Sequence, residues 1–266
     1  MIEFSEIQNI YFLLPLLGLV IGLLGTMTGG GGGFFFIPIL TLIIGVPAQT
    51  AVTTSLAATL PICIVGSLGH YRKNHIDFRV ATLFIITGII GAFIGAKITS
   101  KISNVALKTA FGIYSILIAL YIVYSAGKGI SEEGKKEKIT SLKNHRTFKG
   151  SSFGFAAGLI TGTFGTSGTA PVLAGLLSIG IPFKMVIGTS LLTVLVNTIF
   201  ATGAHLLIGK IDLTLVCFLT AGSTIGALLG PKLIHTIQLN KSENQVRYWY
   251  AAIMLVLGIL MIAKGN

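Results

Sequence analysis

The chain has 266 residues, 53% hydrophobic and only 10% charged, with a mean hydropathy of +0.88. A soluble domain carries about 25% charged residues, so the composition excludes an ordinary water-soluble fold and points to a bilayer. The formal charge of +11 does not indicate nucleic acid, because the cations sit in short connectors between apolar runs, where membrane proteins place them.

Ile10 to Met27 is apolar and of spanning length, and reads as a helix. Five glycines, Gly29 to Gly33, then interrupt the apolar run between Thr28 and Phe34. Glycine inside a membrane-length segment breaks the helix and frees backbone amides. At that depth bare backbone must line an enclosed or watery site. Phe34 to Ile44 is too short to cross a ~30 Å core as an α-helix, so it reads as a half-helix starting in the glycine loop. A helix N-terminus carries partial positive charge and unpaired donors, which suits an anion. Glu3 and Glu6, with no basic start, argue against a secretory leader.

Gly45-Val46-Pro47 predicts a turn, and Gln49 to Leu68 a helix rich in hydroxyls with a kink at Pro61. His70 to His75 reads as a polar connector. Phe78 to Ala96 and Val105 to Ala126 read as two further spans. From Gly127 to Lys149 the composition turns hydrophilic and basic. The expected organisation is a first transmembrane repeat at 1–126, a linker at 127–149 and a second repeat at 150–266. The fold class is all-α and polytopic, each half having a glycine-broken segment followed by three spanning helices.

The repeat rests on a common offset. Shifting by about 135 places brings Gly45 and Pro47 onto Gly180 and Pro182, and Thr54-Ser55-Leu56 onto Thr189-Ser190-Leu191. His70 meets His205, Ile76-Asp77 meets Ile211-Asp212, and Gly91 and Gly95 meet Gly226 and Gly230. The glycine loop has its counterpart in Gly162 to Gly168. If each half crosses an even number of times, Lys and Arg divide 12 against 7 between the faces. If the broken stretch returns to its starting side, the halves are inverted and the division becomes 14 against 5. Cytoplasmic loops carry the excess, so inverted repeats are expected, with the linker cytoplasmic and both termini outside.

The candidate site lies where the two broken segments meet. Between Ile10 and Leu68, and between Ser151 and Phe183, no side chain is charged. A cation site would show acidic groups within the spans, whereas amides, hydroxyls and helix ends suit an anion. The expected ligands are Thr28, Gly29, Gly30, Gly31, Gly32 and Gly33 in the first break, and Gly165, Thr166, Ser167 and Gly168 in the second. Thr54, Ser55, Thr189 and Ser190 would add hydroxyls, and Asn197, two turns beyond Ser190, an amide. Several of these have a plainer reading: glycine loops let helices pack, mid-helix hydroxyls bond back to their own helix, and Asn197 can join helices. His70 and His205 are expected at helix ends, as caps or as proton-coupling groups. Asp77 and Asp212 read as N-caps, and Tyr248, Trp249 and Tyr250 as an interfacial belt. Cys63 and Cys217 read as packing residues, and no metal or cofactor is expected.

The same residues carry a resemblance. Thr28 and the following glycines, Pro38, Gly45-x-Pro47, Thr54-Ser55, His70, Ile76-Asp77 and their second-half counterparts resemble the TauE/SafE, or sulfite exporter, family of membrane transporters. The likeness covers nearly the whole chain and implies transport of sulfite, sulfonates or similar oxyanions across the plasma membrane. One departure is that Thr166-Ser167-Gly168 stands where the first loop is all glycine, so the half-sites are not chemically equal. A passive anion channel using the same site is the alternative. An enzyme is disfavoured, since no HExxH, acidic pair or Cys–His set lies within the spans. The expected partners are a small anionic substrate and the bilayer, and no nucleic acid.

Overall fold

The computed structural model describes residues 2–127, 143–236 and 243–264. Among them the first half holds a short strand β1 (Ile2–Glu3), helix α1 (Leu14–Thr28), helix α2 (Gly33–Pro38) continuing as a π-helix (Ile39–Ile43), α3 (Ala48–Arg72), α4 (Phe78–Thr99) and α5 (Asn104–Gly127). The second half holds α6 (Lys143–Phe164), α7 (Thr169–Ser178), α8 (Phe183–Ile208), strand β2 (Ile211–Asp212), α9 (Leu213–Thr236) and α10 (Glu243–Ala263). Six helices among the described residues are long and apolar enough to cross a membrane, while Gly33–Ile43 and Thr169–Ser178 are apolar but shorter. The protein is therefore an all-helical, multi-pass membrane protein. Its outer surface is aliphatic, with Ile86, Ile90, Leu117 and Leu120 all more than half exposed, as lipid contact requires. Most of the linker expected at 127–149 lies outside the described residues.

Local chemistry sets the boundaries. α1 stops where Gly29 turns left-handed, at φ 74, and α2 starts from Gly32, left-handed at φ 75. Pro38, inside α2, has no N–H to give the preceding turn, and the helix widens into the π-turn after it. That wider turn holds one extra residue. The helix-starting caps Gly32 and Gly168 stand 136 places apart, but the loop residues Gly45 and Gly180 stand 135 apart. The helix expected to end at Leu68 runs on to Arg72, so His70, Tyr71 and Arg72 are helical and not a connector. It ends only where Asn74 becomes left-handed, at φ 56, and the His75 N–H bonds back to the His70 carbonyl. Asp77 and Asp212 cap α4 and α9, accepting from the N–H groups of Val80 and Leu215.

Glycine brings the helices together. α1 lies on α9, with Gly18 against Leu219, Gly22 against Ser223 and Leu19 against Gly226, so the two run the same way. α6 lies on α4 in the same manner, with Gly154 against Phe84, Gly158 against Gly88 and Phe155 against Gly91. A Cβ at Gly158 would stand 1.8 Å from the Gly88 carbonyl oxygen, and one at Gly22 would stand 2.1 Å from that of Ser223. Such backbone approach is how helices gain van der Waals contact where lipid removes the hydrophobic drive. α3 and α8 run oppositely, Gly66 meeting Leu191 and His70 meeting Gly188. α5 and α10 also run oppositely, Ile116 meeting Gly258 and Gly112 meeting Ile262. β1 pairs in parallel with β2, and Lys210 forms an ion pair with Glu3 beside it.

Candidate functional site

The two breaks, residues 29–32 and 165–168, are enclosed by protein and lie side by side. A Cβ on Gly33 would stand 3.2 Å from the Gly165 carbonyl oxygen and 3.4 Å from the Ser167 nitrogen. Gly165 turns left-handed at φ 66 and Gly168 at φ 55, so the second chain reverses course as the first does. α3 and α8 flank the pair. Gly31 faces Cys63 and Thr59 of α3, and Gly29 faces Ile187 of α8.

Hydroxyls hold the breaks together. Ser55 Oγ lies 3.0 Å from both the Gly33 and Gly165 carbonyl oxygens, sharing its proton between the two breaks. Ser190 donates to the Gly29 carbonyl at 3.1 Å. The Gly30 carbonyl accepts from Ser167 and, at 3.1 Å, from Thr169. Thr54 and Thr189 sit one residue earlier and do a different task. Thr54 Oγ1 accepts the Asp212 N–H at 3.2 Å, and Thr189 Oγ1 accepts the Asp77 N–H at 2.9 Å. Each seats the start of a helix from the other half of the chain.

The amides are less available than the glycine run suggests. The N–H groups of Gly29, Gly30 and Gly31 all turn back to the Gly25 carbonyl, the last two at 2.8 and 3.2 Å. The Gly165 N–H is taken by the Thr161 carbonyl at 2.9 Å. The reason is geometric: a left-handed residue closing a helix folds the next amides onto its last carbonyls. The amides of Gly32 and Gly33 on one side, and of Thr166, Ser167 and Gly168 on the other, make no such helix-closing bond. The side chain of Thr28 lies outside the described part.

Three polar side chains here are buried with no hydrogen-bond partner. They are Thr166 in the second break, and Asn197 and Thr198 on α8. Asn197 faces Gly88, which itself packs on Gly158, and Val194 one turn earlier lies against the Gly31 position. Gly168 is folded back onto Ala157 and Thr161. Asn197 is thus level with the second break. Thr198 has no particular sequence signal, since isolated threonines are common in apolar helices; its orphaned hydroxyl is visible only in three dimensions.

The histidines do not cap their own helices. The His205 ring, 2% exposed, donates from Nε2 to the Gly162 carbonyl at 2.6 Å, fastening α8 to the last turn of α6. Neither ring nitrogen of His70 has a hydrogen-bond partner, and the ring lies against Gly188 and His75. Tyr248 and Trp249 are exposed, whereas Tyr250 is half-buried and packs edge-on to Phe35 with centroids 5.5 Å apart. Cys63 is buried and Cys217 exposed, and both are free.

The chain matches the family model for the sulfite exporter TauE/SafE over residues 14–261. It belongs to the TauE/SafE family. Its relatives agree in kind. The probable membrane transporter protein YdhB of Bacillus subtilis strain 168 is 29% identical over 224 residues, covering 82% of this chain and 86% of the relative. The probable membrane transporter protein MJ0441 of Methanocaldococcus jannaschii is 27% identical over 270 residues, covering 94% and 96%. No solved structure matches. The protein is a membrane transporter of the TauE/SafE family.

Proposed function

We propose that this TauE/SafE protein moves a small sulfur-containing oxyanion, such as sulfite or a sulfonate, across the plasma membrane by alternating access. The observation that carries the reading is the meeting of two buried helix breaks with no charged side chain between them. Free amides at Gly32, Gly33 and Thr166 to Gly168, with Asn197, form the binding set, and the hydroxyls of Ser55, Ser167 and Ser190 join it only when the breaks part, since in this state their protons go to carbonyls. Each short helix directs its N-terminal dipole end at the site, as broken helices do around anionic groups. Thr54 and Thr189 position the halves by accepting the Asp212 and Asp77 amides.

Inverted repeats belong to this reading. Support comes from direction: α3 and α8 are counterparts under the 135-place shift and run oppositely, as do α5 and α10. In the proposed orientation the linker is cytoplasmic and both termini are outside, in keeping with the Lys and Arg bias.

A passive channel would use the same residues. Against it stands the bonding of one break to the other through Ser55 and Ser167, which ties the two halves together at the site. The test is counterflow in proteoliposomes. A transporter loaded with unlabelled sulfite drives transient uphill uptake of labelled sulfite. A channel only dissipates the gradient, and that result rejects alternating access.

A further inference from the structure

We infer that the central site selects an oxyanion carrying its own hydrogen-bond donor, an O–H or N–H beside the anionic oxygens, with Asn197 reading that donor. The inference rests on the anion-transport reading above. Asn197 is 1% exposed, and neither Oδ1 nor Nδ2 has a partner. Thr198, next in the chain, and Thr166, in the second break, are 0% and 2% exposed, and their hydroxyls are also unpaired. Buried polar atoms without partners are costly and rare. An amide orphaned at both ends, level with a helix break, describes a place prepared for a polar guest.

The chemistry of the guest follows from what is missing. A fully deprotonated oxyanion is only an acceptor. It satisfies Nδ2, but it faces Oδ1 with another oxygen lone pair. A ligand that bears both an anionic oxygen and a donor satisfies the two ends of the amide at once. Hydrogen-oxyanions and hydroxyl- or amino-bearing sulfonates have this property; sulfate and simple alkylsulfonates do not. The recognition is also one-sided. The first-half counterpart of Asn197 under the 135-place shift is Ile62, which is fully buried and apolar. The ligand is therefore held in one orientation, its donor toward α8.

The experiment compares hydroxyethanesulfonate with propanesulfonate, which replaces the hydroxyl by a methyl of similar size. Titration calorimetry is run on the purified full chain in nanodiscs, for the wild type and for Asn197→Leu. The wild type is expected to bind the hydroxyl compound at least about tenfold more tightly, since a site built around a hydrogen bond rejects an analogue lacking it. Asn197→Leu is expected to bring that ratio to about one. Its ligand-free melting temperature should hold or rise, because an orphaned amide has been replaced by a near-isosteric apolar group. A structural amide would instead give a lower melting temperature and an unchanged ratio. Equal wild-type binding of the two compounds overturns the inference without needing any variant. If sulfite is transported and no donor preference exists, this inference alone falls. If neither the sulfonates nor sulfite binds, the anion reading falls and takes it along.

Discussion

Thr54 in the first half accepts an amide from Asp212 in the second, and Thr189 in the second accepts one from Asp77 in the first. Ser55 reaches the Gly165 carbonyl, and Ser190 reaches that of Gly29. Gly158 presses on Gly88 as Gly22 presses on Ser223. Set against these are places where the halves part. Ser167 bonds to Gly30, but its own counterpart is a glycine with no side chain to reply. His205 is fastened to Gly162, whereas His70 is fastened to nothing. Asn197 stands opposite Ile62. The matched contacts are those that join helices. The unmatched ones lie at the breaks, at one helix end and midway along α8.

The comparison breaks most severely at the glycine seams. Gly158→Leu drives a side chain into backbone that cannot move without separating α4 from α6, since even a Cβ would stand 1.8 Å from a carbonyl oxygen. Gly22→Leu does the same to α1 and α9, starting from 2.1 Å. Both variants should lose the monodisperse peak in fluorescence-detected size exclusion. Retention of folded protein by one and not the other would mean that the seams are unequal.

The reciprocal caps come next. Thr54→Val and Thr189→Val keep the shape and remove the acceptor, leaving a partly or fully buried amide unpaired. Each should cost about 1–3 kcal/mol, read as a lower melting temperature in detergent. The two losses should be similar. A loss confined to Thr54→Val would show that the second helix start is held by other means.

The histidines sharpen the contrast. His205→Ala removes a buried bond to Gly162 and should lower stability by about 1–3 kcal/mol. His70→Ala removes no hydrogen bond and should cost less, leaving only the lost packing on Gly188 and His75. Thermal melts of both variants decide it. Equal losses would place the two rings in the same role.

How much of this was legible beforehand divides along the same line. Hydropathy alone gives an all-helical, many-span protein, because the apolar runs are long and their connectors short. Asp77 and Asp212 are readable as caps, since the acceptor and its amide lie three residues apart. The end of α3 is not readable. His70 to Arg72 look like a connector by polarity, yet polar residues are acceptable in a helix, and only Asn74 forces the turn. Nor is the fate of the Gly29 to Gly31 amides, which depends on three backbone angles and not on residue type. The bonds of Thr54 and His205 are not readable for a further reason: their partners lie 158 and 43 residues away, so nothing local announces them.

The smallest expected effect tests the matched framework at its most exposed points. Gly45 and Gly180 close the short helices at φ 80 and φ 77, and a Cβ on either would meet nothing within 4 Å. Alanine at these positions costs only the left-handed backbone, about 1–2 kcal/mol, with no clash to add. Gly45→Ala and Gly180→Ala should therefore fold, transport and melt slightly below the wild type by similar amounts. The double variant should show the sum, since the sites share no contact. A loss well beyond the sum would mean that the two loops are energetically coupled through the framework between them.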